Sequence, residues 1–216
     1  MLDIIKNNKL YFQLYFIFFF LLFFYVIKSD PLEATLYFGT HRSTFGNNFF
    51  KFVTTLGEIY PFIGFTILYL WKNRTVTARK IAISGLFILL ITSFLKELFS
   101  LDRPAVFIDK LNYLTSFQYV DGIEILRGAT SFPSGHTAGA FVVWSLFAFQ
   151  LKEVKYQVLS LIIAILVGVS RVYLTQHFPQ DVLLGSFIGI SSAILIEHFI
   201  EKWERSEERR VGKECW

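Results

Sequence analysis

The sequence predicts an all-α fold, a polytopic six-transmembrane-helix bundle, and three observations lead there. Of the 216 residues, 54% are hydrophobic and 18% are charged, where a soluble domain carries about a quarter charged residues. The apolar residues gather into runs approaching the roughly 20 residues a helix needs to cross a bilayer. Lys and Arg crowd alternate connections between those runs, the asymmetry expected of a multi-pass chain.

The first span covers residues 10–27 (LYFQLYFIFFFLLFFYVI). Its apolar part is long for a signal peptide, and Lys28-Ser29-Asp30-Pro31 supplies no small-residue cleavage site. Residues 31–52 are mixed and aromatic and predict a loop with a short interfacial helix. The second span is residues 59–71, with a start as early as Val53, and Gly57 there lets helices approach closely. The third, fourth, fifth and sixth cover residues 81–99, 137–151, 158–173 and 182–200. Six spans put both termini on one side. Lys6, Lys9, Lys72, Arg74, Arg79, Lys80, Lys152 and Lys155 mark that side as cytoplasmic. The opposite connections hold Asp30, Glu33, Asp102, Asp109, Asp121 and Glu124, so the 100–133 loop and the 171–181 turn face outward.

Residues 1–204 form a single membrane domain. The stretch 205–215 reads RSEERRVGKEC and back-translates to something very like a common short-read sequencing adapter. The charged tail 205–216, with the lone Cys215 and Trp216, is therefore read as an artefact and set aside. One cysteine allows neither a disulfide framework nor a cysteine metal site. The net charge of +4 is scattered over loop ends, without the basic face that a nucleic-acid partner requires. Abundant Phe, Ile, Lys and Asn suit an AT-rich, bacterial genome, which makes the expected location the bacterial cytoplasmic membrane.

Three clusters carry chemistry. Lys96-ELFSLD-Arg103-Pro104 ends the third span, Pro133-Ser134-Gly135-His136 opens the fourth, and Ser170-Arg171-VYLTQ-His177-FPQ-Asp181 joins the fifth to the sixth. The six-span layout delivers all three to one membrane face. Lys96, Arg103 and Arg171 are cations with few acidic neighbours, suited to phosphate oxygens. Lys96 and Arg103 are seven apart and share a helix face if the helix extends that far. Pro133 fits a first helical turn, which would aim the N–H groups of Ser134 and Gly135 at an anion. Imidazoles can act as nucleophile, acid or base near neutrality. Asp181, four residues after His177, can hold the other ring nitrogen, which makes His177 the nucleophile and His136 the general acid. No HExxH-like metal spacing occurs, and neither metal nor cofactor is expected.

Taken singly, each residue has a structural explanation: a snorkelling Lys96, interfacial Arg103 and Arg171, loop histidines, a helix-terminal Asp181. Those explanations leave the shared face and spacing unexplained. His41 and Arg42 read as solvated or interfacial.

The clusters resemble the signature of the type-2 phosphatidic acid phosphatase superfamily, K-x6-RP, PSGH and SR-x5-H-x3-D, and match it at all eleven specified positions. The resemblance implies that His177 is phosphorylated, with Asp181 orienting it and His136 protonating the leaving group. It also implies that Lys96, Arg103, Ser134, Gly135 and Arg171 bind phosphate without a metal. The expected activity is hydrolysis of a lipid phosphate or diphosphate: undecaprenyl diphosphate, phosphatidate, phosphatidylglycerophosphate or a lipid A phosphate. The lack of a large soluble insert favours undecaprenyl diphosphate or a broad range. A lipid phosphotransferase using the same histidine, or a phosphate-binding membrane protein without catalysis, are the alternatives.

Overall fold

In the computed structural model, residues 2–111 and 117–214 are described. Cys215 and Trp216 lie outside them. Every regular element among the described residues is an α-helix. In chain order these are α1 (Leu2–Asn7), α2 (Lys9–Lys28), α3 (Glu33–Thr40), α4 (Thr44–Thr55), α5 (Ile59–Trp71), α6 (Thr75–Phe99), α7 (Pro104–Lys110), α8 (Gly135–Phe149), α9 (Val154–Tyr173) and α10 (Pro179–Glu214).

Among the described residues, four segments are long and apolar enough to cross a membrane: Lys9–Lys28, Thr75–Lys110, Val154–Tyr173 and Pro179–Glu204. A fifth is the pair α4 and α5, bent by 50° at its break. The chain is a multi-pass helical membrane protein. α8 is shorter and apolar on every side, and it packs against α6, α9 and α10. A helix that is hydrophobic all round belongs in an interior, and from Thr137 to Val143 every residue of α8 is buried.

The α8–α10 contact is close because α10 presents Gly185 and Gly189 to it. A Cβ on Gly185 would fall 2.7 Å from the Ser134 carbonyl, and one on Gly189 would fall 2.6 Å from the Ala138 carbonyl. Small residues four apart allow this backbone approach between membrane helices. Gly57, in the break between α4 and α5, does the same on the other flank, where a Cβ would lie 2.8 Å from the His136 carbonyl.

The connections depart from the sequence expectations in two places. The 31–52 region holds two helices, α3 and α4. The 100–133 loop contains α7. The third-span helix stops at Phe99, where Ser100 turns left-handed at φ 45° and its N–H caps the Lys96 carbonyl. Arg103 lies beyond that stop as the N-cap of α7, so Lys96 and Arg103 do not share a helix face.

Two basic residues counted toward the cytoplasmic loop are also placed inside α6. Lys80 is buried and bonds Glu197 of α10 at 2.8 Å, and Arg79 pairs with Glu204.

Candidate active site

The chemistry-bearing residues meet where the C-terminal ends of α6 and α9 face the N-terminal ends of α5, α8 and α10. α9 ends at Tyr173, and the chain leaves it through Thr175 at φ 61°. The N–H groups of Gln176 and His177 both donate to the Arg171 carbonyl, at 2.9 and 3.2 Å. α10 then begins at Pro179, which fits a first helical turn because it has no N–H to satisfy. Asp181, in that turn, reaches back to accept the Phe178 N–H at 3.0 Å.

The same Asp181 oxygen, Oδ2, accepts from Ser131 Oγ at 2.5 Å and lies 3.2 Å from His177 Nδ1. The His177 ring is buried. Burial first, then the charges of Arg171, Arg103 and Lys96, hold its pKa well below the ordinary imidazole value of 6.5. The ring is thus neutral near neutrality, and its contact with Asp181 is a hydrogen bond. A carboxylate at Nδ1 keeps the proton there and leaves a lone pair on Nε2, the atom available to attack.

The cations are held largely by neutral acceptors. Arg103 Nη1 donates to the Gln176 carbonyl at 2.9 Å and Nη2 to the Thr130 carbonyl at 3.2 Å. Arg171 Nη1 donates to Thr54 Oγ1 at 2.6 Å, while its buried Nε has no partner among the described residues. Buried donors are nearly always satisfied, which makes this nitrogen unusual among the described residues. Lys96, half-buried in the last turn of α6, lies near Gly135: a Cβ there would sit 3.9 Å from Nζ. Any side chain at position 135 would project toward the space beside the ammonium.

The Ser134 expectation needs correction. Pro133 precedes the helix, Ser134 is the N-cap of α8, and its Oγ accepts from the Thr137 N–H and hydroxyl at 3.3 and 2.8 Å. The Ser134 N–H donates to the Asp181 carbonyl at 3.1 Å and is not directed at an anion. Ser134 thus joins α8 to the turn that carries His177.

His136, in the first turn of α8, points to the opposite wall, where Nε2 lies 3.6 Å from Glu58 Oε1. His136, Lys96 and Glu58 line one end of a cavity of about 700 Å³ between α5, α6 and α8. Its walls farther along are apolar, among them Phe62, Ile67 and Leu89.

Arg42 is not merely solvated. It donates to the Gln118 and Tyr173 carbonyls and to Thr175 Oγ1, the last two at 2.7 and 2.8 Å. It fastens the outer loop to the turn that leads to His177. Thr54, Glu58 and Ser131 are further contributors that lie outside the three clusters, and Gln176 contributes from an unspecified position inside the third. Among the described residues, no three His, Cys, Asp or Glu side chains are grouped to hold a metal ion.

The site gathers cations round a buried imidazole at one end of a helical membrane bundle. The family model of the PAP2 superfamily matches residues 77–205, a stretch that includes all eight residues expected at the site. The chain belongs to that superfamily. It is 38% identical over 89 residues to phosphatidylglycerophosphatase B of Bacillus subtilis, covering 37% of this chain and 43% of that protein. It is 25% identical over 191 residues to the bacitracin transport permease protein BcrC of Bacillus licheniformis, covering 75% of this chain and 89% of that one. The chain therefore spans less than half of the first relative and most of the second. The solved structure of Aquifex aeolicus LpxE is similar at a TM-score of 0.65 and 25% identity, covering 78% of this chain and 94% of that one. The hydrolase class expected from the clusters is the class named for the first of these relatives.

Proposed function

We propose that this chain is a membrane lipid phosphatase that works through a phosphohistidine on His177. The observation that carries the reading is the buried, neutral His177 held at Nδ1 by Asp181, in a site that also holds Lys96, Arg103 and Arg171. Nε2 attacks phosphorus, and the bond to the leaving oxygen breaks as that oxygen takes a proton from His136. Water then attacks the phosphorus of the phosphohistidine, giving its proton to His136 and returning His177 with release of phosphate. Lys96, Arg103, Arg171 and the start of α8 at Gly135 hold the phosphoryl oxygens, whose charge is spread during transfer.

The cavity between α5, α6 and α8 supports a lipid as substrate. Its head end carries Lys96 and His136 and its walls are apolar, as an amphiphile with a phosphate at headgroup depth requires. Relatives bearing the names phosphatidylglycerophosphatase B and lipid A 1-phosphatase are consistent with that class. Undecaprenyl diphosphate and phosphatidylglycerophosphate are the first candidates.

The six spans of this reading are α2, the α4–α5 pair, α6, α8, α9 and α10. Support comes from α8, too short for a free-standing span yet enclosed by helices that are long enough. The basic ends of α5 and α6 support an outward-facing site in the bacterial inner membrane. Residues 205–216 are proposed to be dispensable.

Phosphate release from a panel of these lipids, by detergent-purified protein and its His177→Ala variant, tests the reading. Release by the parent alone is expected. An equally active variant would remove the nucleophile. No release from any lipid by folded parent would remove the phosphatase, and transfer to an added alcohol would then identify a phosphotransferase.

A further inference from the structure

Glu58 lies outside the three clusters, yet it holds a distinctive position in this site. It is the N-cap residue of α5, directly after the break from α4. Short polar side chains at this position accept the helix's own free N–H groups; the longer Glu58 side chain makes no cap hydrogen bond. Its Oε1 instead lies 3.6 Å from His136 Nε2. The backbone fixes this aim, because Gly57 packs on the His136 carbonyl and a Cβ on Gly139 would fall 3.1 Å from the Gly57 carbonyl.

The charge balance says what such a carboxylate does. The groups acting on His136 are Glu58 from α5, Lys96 from α6, Arg103 before α7, Arg171 from α9, and His177 from the turn before α10. Three are permanent or near-permanent cations. A histidine that donates a proton must first carry one, and positive neighbours oppose a second positive charge unless an anion offsets them. Among the described residues, Glu58 is the carboxylate within ion-pair distance of His136.

We infer that Glu58 is a positioning residue that orients the His136 ring and favours its charged form against the surrounding cations when it protonates the leaving group, so that it selects for substrates whose leaving group needs a proton. The inference rests on the phosphatase reading above. When a lipid alkoxide departs, the leaving oxygen accepts the His136 proton as its bond to phosphorus breaks, and Glu58 faces an imidazole that has become neutral. A nitrophenolate leaves without that proton, and Glu58 then has little to contribute.

The test compares the full-chain parent, Glu58→Gln, His136→Ala and the double variant on a phosphatidate and on p-nitrophenyl phosphate. Parent activity on both substrates establishes the phosphatase independently of Glu58. The expected result for Glu58→Gln is a fall of about tenfold in kcat on phosphatidate and less than about threefold on p-nitrophenyl phosphate. The basic limb of its kcat profile should move to lower pH by about one unit. In the His136→Ala background the same change should have no further effect. Equal losses on both substrates, an unmoved basic limb, or additive losses in the double variant would each overturn the inference and leave Glu58 a packing residue. Glu58→Asp tests the charge directly: recovery of the basic limb supports the assignment, and a limb that stays with Glu58→Gln counts against it.

Discussion

Replacing Asp181 by Asn separates charge from geometry at the proposed nucleophile. One oxygen of Asp181 accepts from three groups: His177 Nδ1, Ser131 Oγ and the Phe178 N–H. A backbone N–H can only donate, so Asn satisfies this arrangement only with its carbonyl oxygen in the place of Oδ2. Its amide nitrogen then takes the place of the other oxygen, and His177 keeps its proton on Nδ1. What is lost is the negative charge facing a ring that becomes cationic as phosphorus bonds to Nε2. A hydrogen bond to a charged group contributes about 1.5–3 kcal/mol, so kcat should fall by about 10- to 100-fold while the protein stays folded. Had the amide turned its NH₂ to the ring, the proton would move to the attacking nitrogen. A wrong-tautomer substitution of that kind in a serine protease costs about 10⁴-fold. Initial rates of lipid phosphate release at saturating substrate distinguish the two. A loss within threefold would refute a role for the Asp181 charge, and a loss near 10⁴-fold would refute the three-donor argument.

Two further expectations come from the same turn. The depressed pKa of buried His177 means the reactive neutral ring persists below pH 6.5 and is lost only on further acidification. The acid limb of kcat/KM should therefore lie below about pH 6.5, and a limb at or above that value would contradict the burial argument. Arg42→Ala removes three hydrogen bonds that tie the outer loop to Tyr173 and Thr175, the latter in a left-handed conformation that costs about 1–3 kcal/mol for a non-glycine residue. Activity should fall about tenfold through kcat, and Arg42→Lys should not restore it, because a single ammonium cannot replace a planar fork; full recovery in Arg42→Lys would show that only charge matters.

What the sequence made legible follows from what is local. The apolar runs of α2, α9 and α10 were legible because a lipid-facing or buried helix is written as continuous composition. His177 and Asp181 were legible because a four-residue spacing across a Pro-initiated turn fixes their distance. The end of α6 at Phe99 was legible as the end of an apolar run, but the left-handed Ser100 that caps it was not, because serine rarely takes that conformation. The direction of the Ser134 N–H was not legible for a tertiary reason: it is taken by the Asp181 carbonyl, far along the chain. Thr54, Glu58 and Arg42 have no informative local spacing, since each reaches the site across a helix interface. The Gly185-x3-Gly189 pair is readable in the sequence as a close helix contact, but nothing local says that α8 is the partner.

The two ends of the bundle use the same residue types in opposite ways, and the difference argues for a phosphate site. At one end Lys80 bonds Glu197 and lies 3.5 Å from Glu201, and Arg79 pairs with Glu204. Each cation there is neutralised by a carboxylate on α10, and the pairs join α6 to that helix. At the other end, Arg103 donates to two carbonyls and Arg171 to a hydroxyl. Asp181 lies close enough to act on Lys96 and Arg103, but the oxygen it turns to this cluster is committed to His177, Ser131 and Phe178. Neutral dipoles orient a guanidinium without cancelling its charge, so the positive potential remains for an incoming anion. Burying cations without matched carboxylates is costly, and a bundle that needed them only for packing would gain by pairing them as Lys80 is paired. On the proposed reading that cost is recovered when a phosphate group binds among them, and among the described residues the buried Arg171 Nε is without a hydrogen-bond partner.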